Sequence, residues 1–182
     1  TQDFVSVDLR AETISVNVAS ITTTGDQDYT GDLDIGASTE LDGATIDVTG
    51  NIDGAFNLTL DSTATGVSGT IGGTVVDLTV QTGGLVAGSI DITGNLDGDQ
   101  SVETDTGAIN VDGNVDAEST LTAETSIDVG GTTELSDAVT AENGSIVFGG
   151  TTANAADTIT LTADLTIDSS ANNGGVDFAG NV

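Results

Sequence analysis

A short pattern that recurs along the chain constrains the fold more than any other feature of this sequence. The pattern reads apolar, polar, apolar, any residue, Gly, often Asn, apolar, Asp. Its copies are IDVTGNIDG at 46–54, IDITGNLDG at 90–98, INVDGNVD at 109–116, IDVGG at 127–131, IVFGG at 146–150 and VDFAGNV at 176–182. The copies that begin at 90, 109, 127 and 146 are separated by 19, 18 and 19 residues. A repeat of this length is too short for paired helices and fits one turn of a β-helix with three short strands.

The spacing of the copies also predicts how the turns are distributed along the chain. The step of 44 residues from Ile46 to Ile90 would hold two turns of about 22 residues. The step of 30 residues from Ile146 to Val176 predicts an enlarged corner loop. Apolar and polar residues alternate within each copy, as in strands, and no segment requires helical spacing. The sequence therefore predicts an all-β fold, with one parallel β-helix segment over 1–182 and about 18–22 residues per turn.

Glycine and asparagine occupy adjacent places in the repeat, and we expect them to form a ladder at one corner of the coil. The glycine column consists of Gly50, Gly94, Gly113 and Gly131, and the asparagine column consists of Asn51, Asn95 and Asn114. Glycine adopts left-handed backbone angles at no cost, and asparagine tolerates them. Stacked asparagine amides can also hydrogen-bond along the axis. The alternative reading, unrelated Gly-Asn hairpin turns, does not explain the shared flanking residues.

The apolar residues of the chain suit a thin, stacked interior. Aromatic residues make up only 3% of the sequence, and Trp, Met and Cys are absent, so the apolar set is mainly Val, Ile, Leu and Ala. The sequence contains 25 Gly and no Pro, which requires many turns made without proline. Phe148 and Phe178 occupy the second apolar place of the repeat, and we expect them to fill the core.

The charge of the chain excludes several classes of function. The net charge is −29, with 30 acidic side chains against a single base, Arg10, and no Lys or His. Nucleic acids and anionic membranes bind basic surfaces, so both are excluded as partners. The sequence also contains no run of 18 apolar residues, so we predict no membrane insertion of this segment. Catalysis by His, Cys or Lys is excluded by composition. A carboxylate pair such as Asp97 and Asp99 would suit a glycosidase, but aromatic sugar platforms are lacking. We therefore predict that the protein is not an enzyme.

The density of acidic groups suggests that cations take part in stability. Turns stacked about 4.8 Å apart would carry about one net charge per 1.6 Å of axis, similar to duplex DNA. We hypothesise that Ca²⁺ bridges some carboxylates, because it prefers hard oxygen ligands. The candidate ligands are Asp97, Asp99, Asp112 and Asp116 in one group, and Asp26, Asp28, Asp32 and Asp34 in another. The alternative is a diffusely solvated acidic surface that limits aggregation.

Several segments resemble repeats of filamentous-haemagglutinin-like adhesins and related bacterial surface proteins. These segments lie at 21–33, 54–60, 69–73 and 174–182, and so extend along nearly the whole chain. The resemblance implies a right-handed parallel β-helix that is exported and displayed at the cell surface, where such proteins mediate attachment. This chain is far more acidic than a usual member, which leaves its binding partner open.

These observations predict a structural or adhesive extracellular filament, or the stalk segment of an adhesin. A solenoid grows by adding turns, so we expect the segment to belong to a longer protein or to associate head to tail. Cell-surface or matrix glycans are the candidate ligands. Two alternatives are a Ca²⁺-dependent β-sandwich binding module and an ice- or surface-binding solenoid with a flat threonine face. The 19–18–19 spacing opposes the first, and the second lacks a continuous Thr-x-Thr column.

Overall fold

All strand pairs in the described part of the chain are parallel. A computed structural model describes residues 4–72, 74–117, 120–148, 159–161, 167–169 and 175–178. Within these ranges the protein forms 22 β-strands and no helix, and the fold is an all-β parallel solenoid of about seven turns. The predicted β-helix is confirmed. The β-sandwich alternative is wrong, because a sandwich requires antiparallel strands. The right-handed coil implied by the adhesin resemblance stays a prediction.

Each turn contributes strand segments to three columns, and the first and second columns belong to one 14-stranded sheet. Four long strands pass from the first column into the second: β1 (Val7–Val16), β3 (Gln27–Ile35), β8 (Ala64–Gly72) and β10 (Gly84–Ile92). The first column also contains β5 (Ile46–Thr49), β12 (Val102–Thr104), β15 (Leu121–Ala123), β18 (Val139–Ala141) and β21 (Ile167–Asp168). The second column also contains β6 (Ile52–Asp53), β13 (Ile109–Val111), β16 (Ile127–Val129), β19 (Ile146–Phe148) and β22 (Val176–Phe178).

The third column is an 8-stranded sheet. Its strands are β2 (Ser20–Thr22), β4 (Thr39–Gly43), β7 (Leu58–Ser62), β9 (Leu78–Val80), β11 (Leu96–Gly98), β14 (Val115–Ala117), β17 (Thr133–Leu135) and β20 (Ile159–Leu161). We call the bend between the first and second columns the first corner, and the bend between the second and third columns the second corner.

The strand register gives the length of each turn. In the first column the successive partners are Val7, Gln27, Ile46, Thr65, Leu85, Val102, Leu121 and Val139, which are seven steps of 17 to 20 residues. In the second column Ile146 pairs with Val176, so this turn is enlarged to a step of 30 residues. Most of the residues in that enlarged turn, where the corner loop was predicted, lie outside the described ranges.

The predicted alignment of Ile46 with Ile90 is wrong. Ile90 pairs with Ile71 on one side and with Ile109 on the other, and Ile71 pairs with Ile52. Ile52 therefore lies two turns before Ile90 in the second column, whereas Ile46 lies in the first column. The gap of 44 residues consists of two ordinary turns plus one strand and corner, and not of two enlarged turns.

The core is a stack of aliphatic side chains that point inward from all three columns. Ile90, Ile109, Ile127 and Ile146 are each 0% exposed and lie in register on successive turns. Phe148 is also buried, as predicted, whereas the side chain of Phe178 lies outside the described part. Because side chains alternate across a strand, the residues between these core positions face solvent. The outer surface is therefore also arranged in columns.

Candidate functional site

The second corner holds a ladder of glycines. The backbone N–H of Gly113 donates to the carbonyl of Gly94 at 2.9 Å, and the N–H of Gly131 donates to the carbonyl of Gly113 at 2.9 Å. A side chain at Gly131 would place its Cβ 2.6 Å from that carbonyl oxygen. Among the described glycines, positive φ occurs at Gly31, Gly50 and Gly54, but not at Gly94, Gly113 or Gly131. At these three positions of the second corner, close stacking of the backbone requires glycine, whereas the expected positive φ is found at Gly50.

The asparagines beside this ladder bind the turn above through their side-chain oxygens. The Asn95 N–H donates to Asp77 Oδ1 at 2.8 Å, and the Asn114 N–H donates to Asn95 Oδ1 at 3.0 Å. Thr132 ends the series, because its N–H and its hydroxyl both donate to Asn114 Oδ1, at 2.9 and 2.7 Å. The series links four turns, and the side-chain amide of Asn95 also donates to Asp77 Oδ1, at 3.1 Å. The asparagine amides therefore hydrogen-bond along the axis as predicted, although the bond between Asn95 and Asn114 joins a side-chain oxygen to a backbone N–H and not two side-chain amides.

Gly50 and Asn51 form a separate ladder at the first corner. The N–H of Gly69 donates to the Gly50 carbonyl at 3.0 Å. The N–H of Asn51 donates to Asp32 Oδ1, and the N–H of Thr70 donates to Asn51 Oδ1, both at 2.9 Å. The prediction that Gly50 and Asn51 share a column with Gly94 and Asn95 is wrong. The same short pattern serves two successive corners of the coil, because both need a close backbone approach followed by a side-chain acceptor.

Acidic side chains form an in-register series on the outer surface of the third column. Asp97 pairs with Asp116, and Asp116 pairs with Glu134. All three side chains are exposed. Asp97 is nevertheless partly desolvated, which raises its pKa, and the charges of Asp99 and Asp116 raise it further. Three of the four predicted ligands in this group, Asp97, Asp99 and Asp116, are therefore neighbours.

The fourth predicted ligand of that group, Asp112, lies at the second corner. Its N–H donates to the carbonyl of Ile92 at 3.1 Å. Partial burial raises the pKa of Asp128, and the negative charge of the Asp112 carboxylate raises it further. Asp112 is thus associated with Asp128, a residue absent from our prediction. No periodic signal distinguished Asp128 from other outward-facing acids.

The second predicted group is divided by the first corner. Asp28 lies in the first column, in register with Asp8 and Asp47, whereas Asp34 lies in the second column, in register with Asp53. Asp26 accepts a hydrogen bond from the Thr45 hydroxyl at 2.8 Å. Asp32 belongs to the asparagine ladder described above.

Asp32, Asp34 and Asp53 line a shallow groove of about 380 Å³ together with Thr13 and Asn51. Hydrogen bonds from Thr74 and from the Gly54 N–H hold the pKa of Asp53 below its usual value. Across the described part of the chain, no three acidic side chains are arranged to hold a metal ion. The predicted aspartates therefore occur as pairs and columns, and the Ca²⁺ hypothesis stays a prediction.

The sole base, Arg10, lies near the start of the first column. Its Nε and Nη2 donate to the two carboxylate oxygens of Asp8 at 3.0 and 3.2 Å. This contact lowers the pKa of Asp8. Both side chains are largely exposed, so the ion pair contributes little to stability. It does reduce the negative charge at the end of the series formed by Asp8, Asp28 and Asp47.

A buried polar group lies inside the first turns, which sequence reasoning missed. Gln27 is fully buried, and its Nε2 donates to the carbonyls of Ile21 and Asp42 at 2.9 and 2.7 Å. The Tyr29 hydroxyl donates to Gln27 Oε1 at 2.8 Å. Burial raises the pKa of Tyr29 to about 12. The signal for this group was a glutamine at a position that most other turns fill with Val, Ile or Leu, with Thr65 as the exception.

The comparisons with known proteins leave the family open. No protein-family model matches the chain, and no curated protein or solved structure matches it. The adhesin resemblance is therefore supported only at the level of the parallel β-solenoid fold. In the described ranges, none of the secondary structure is a helix of the length and hydrophobicity needed to span a bilayer.

Proposed function

We propose that this chain forms a segment of an extracellular structural or adhesive filament displayed at a cell surface. The observation that supports this function best is the regular register of the first column. Seven successive steps from one strand to the next each take 17 to 20 residues. Such a fold extends by adding turns that contact only their neighbours. The length of the rod can therefore change without a new core.

The acidic surface is compatible with this role. Outward-facing acids occur in all three columns, for example Asp28, Asp34 and Asp97. A high net charge of one sign keeps rods apart laterally and maintains solubility. Contacts between the ends of the rods would bring together far fewer charges. The charge distribution therefore favours end-to-end over side-by-side association.

Head-to-tail association is the assembly mode that we propose, with a second copy as the partner. Leu9 lies at an inward-facing position, in register with Tyr29, but Leu9 is 44% exposed and Tyr29 only 1%. A turn stacked on β1 would cover Leu9 in the same way that the two neighbouring turns cover Tyr29. It would also pair the edge of β1 that has no strand partner in the described part of the chain. A contact of this kind between unlike ends builds an open filament.

Electron microscopy of the purified chain, combined with sedimentation, tests the proposal. We expect unbranched rods several times longer than one copy. Leu9→Lys should shorten the rods, because it would bury a charge at each junction. The matched control is Val86→Lys: Val86 is 42% exposed but faces outward, between Gly66 and Glu103. Circular dichroism melts of both variants establish that they remain folded.

Three outcomes contradict this assembly. The first is a monodisperse monomer at high concentration, and the second is rods that Leu9→Lys leaves unchanged. Shortening by Val86→Lys alone would indicate lateral association instead. Adhesion is tested separately with an array of cell-surface and matrix glycans, on which we expect binding by the assembled rods. Absence of glycan binding would favour a purely structural filament.

The ice- or surface-binding alternative depends on continuous threonine columns. Threonines pair in register at Thr59 with Thr79 and at Thr122 with Thr140. In the third column the pair is followed on the next turn by Asp97, which interrupts the flat threonine surface. An ice-growth assay decides between the two functions. The filament proposal predicts that the protein changes neither the shape of ice crystals nor the difference between their melting and freezing temperatures.

A further inference from the structure

We propose that Asn143 is a site of spontaneous deamidation that loosens the first corner between β18 and β19. Asn143 is exposed and is followed by Gly144. Deamidation starts when the main-chain nitrogen of the following residue reaches the asparagine side chain. Glycine offers least obstruction to this approach because it has no Cβ. Asparagine is also among the thermally labile residues of proteins.

Two other corner asparagines, Asn95 and Asn114, are each followed by a bulky residue whose N–H is hydrogen-bonded to another turn. Asn95 is followed by Leu96, whose N–H donates to the Asn114 carbonyl at 2.9 Å. Asn114 is followed by Val115, whose N–H donates to the Thr132 carbonyl at 2.9 Å. In both cases the attacking nitrogen is held in a hydrogen bond between turns, and the residue that carries it is bulky. These two asparagines are therefore internal controls within the same molecule.

The reaction needs only water. The Gly144 nitrogen attacks Cγ of Asn143, the new C–N bond closes a succinimide ring, and the Cγ–Nδ2 bond breaks. The proton of the Gly144 nitrogen leaves with the amine as ammonia. Water then opens the ring at one of its two carbonyl carbons. The products are an aspartate or an isoaspartate, in which the main chain runs through the former side chain.

The consequence depends on Glu124, one turn below. The Asn143 N–H donates to the Glu124 carbonyl at 2.9 Å, and Asn143 Nδ2 donates to Glu124 Oε1 at 2.7 Å. Deamidation replaces the side-chain donor with a carboxylate that faces the Glu124 carboxylate. Like charges opposite each other on neighbouring strands destabilise a sheet. The isoaspartate also lengthens the main chain at a corner whose register those contacts maintain.

Peptide mapping by mass spectrometry of protein aged in warm, mildly alkaline buffer tests the site. We expect Asn143 to convert at least about tenfold faster than Asn95 or Asn114. Asn173-Gly174, which lies outside the described ranges, supplies an Asn-Gly reference in the same digest. Asn143→Gln should abolish the conversion at this position. Equal rates at Asn143 and Asn95 would overturn the proposal.

A second measurement tests the effect on the corner. Asn143→Asp should lower the melting temperature in the native background but lower it less when Glu124 is also replaced by Gln, because the opposing charge is then absent. Hydrogen exchange should show the loss of protection at Glu142 and Asn143. If Asn143→Asp destabilises both backgrounds equally, Glu124 is not the residue through which deamidation acts.

Discussion

Asp97 lies in register with Asp116 on the neighbouring turn, so that two carboxylates face the same side of the third column. Asp99 adds a further charge nearby. Partial desolvation raises the pKa of Asp97, and the charges of Asp99 and Asp116 raise it further. Glu134 continues the series on the next turn. The parallel register, which the buried aliphatic residues determine, therefore forces like charges together. The acidic surface lowers the stability of the fold that displays it.

Replacing one of these carboxylates should stabilise the protein. In Ca²⁺-free buffer at low salt, we expect Asp97→Asn to raise the free energy of unfolding by about 0.5 kcal/mol, since it removes a cross-strand repulsion that solvent partly screens. The control is Asp91→Asn, because the register partners of Asp91 are the uncharged Gly72 and Asn110. Urea denaturation measures both variants. A loss of stability in Asp97→Asn would show that its carboxylate is paired favourably, for instance with a cation.

The asparagine ladder should contribute measurably to stability. Asn114→Ala removes the acceptor for both donors of Thr132, and we expect a loss of about 1–2 kcal/mol. Asn114→Asp keeps an acceptor oxygen, as Asp77 provides below Asn95, and should lose less. Asn110→Ala, on an outward-facing position of β13, is the control in thermal melts. Equal melting temperatures for the two alanine variants would contradict a role for the ladder.

Tyr29 makes stability depend on alkaline pH. Burial raises the pKa of Tyr29 to about 12 in the folded protein, above its ordinary value of 10.0. The unfolded chain therefore releases this proton first, and stability is fully present below pH 10 and falls as pH rises from 10 toward 12. Tyr29→Phe should flatten this part of the curve, at a cost of about 1 kcal/mol at neutral pH because Gln27 Oε1 loses its donor. An unchanged alkaline slope in Tyr29→Phe would show that other groups cause it.

The Ca²⁺ hypothesis is tested by comparing melting temperatures in EDTA, in millimolar Ca²⁺ and in molar NaCl. We expect millimolar Ca²⁺ to stabilise the protein more than molar NaCl does, although its ionic strength is far lower, because a divalent ion can bridge Asp97 and Asp116 on neighbouring turns. Asp97→Asn combined with Asp116→Asn should reduce this advantage. If NaCl stabilises as fully as Ca²⁺, screening of the acidic surface explains the effect without bound ions.

The period and the strands could be predicted from the sequence because they follow from local alternation and spacing. Ile90, Ile109, Ile127 and Ile146 repeat at nearly constant intervals, and each interval brings the same type of residue back to the core. The displacement of Ile46 could not be predicted in the same way. The residues that flank Ile46 match those that flank Ile90, because both corners require a close backbone approach followed by a side-chain acceptor. The local sequence therefore does not reveal which of the two corners follows Ile46.

Much of the candidate site depends on contacts that no local pattern reveals. Asp112 lies beside Asp128 rather than in the series of Asp97 and Asp116, since it belongs to a corner and not to a strand. Gln27 is buried because the carbonyls of Ile21 and Asp42 approach its amide from neighbouring chain segments. Such environments are set by three-dimensional stacking, and composition alone suggested only that acids are abundant.

Disulfide trapping tests the stacking of the turns most directly, because the natural chain has no cysteine. Asp91 and Asn110 are register partners with outward-facing side chains, and neighbouring strands lie about 4.8 Å apart, within the range of a disulfide. The variant Asp91→Cys/Asn110→Cys should oxidise readily to an intramolecular disulfide and remain folded. The mismatched variant Asp91→Cys/Asp116→Cys should stay reduced, because Asp116 lies in the third column. Rapid oxidation of the mismatched pair, with none in the matched pair, would contradict the parallel coil on which the whole account depends.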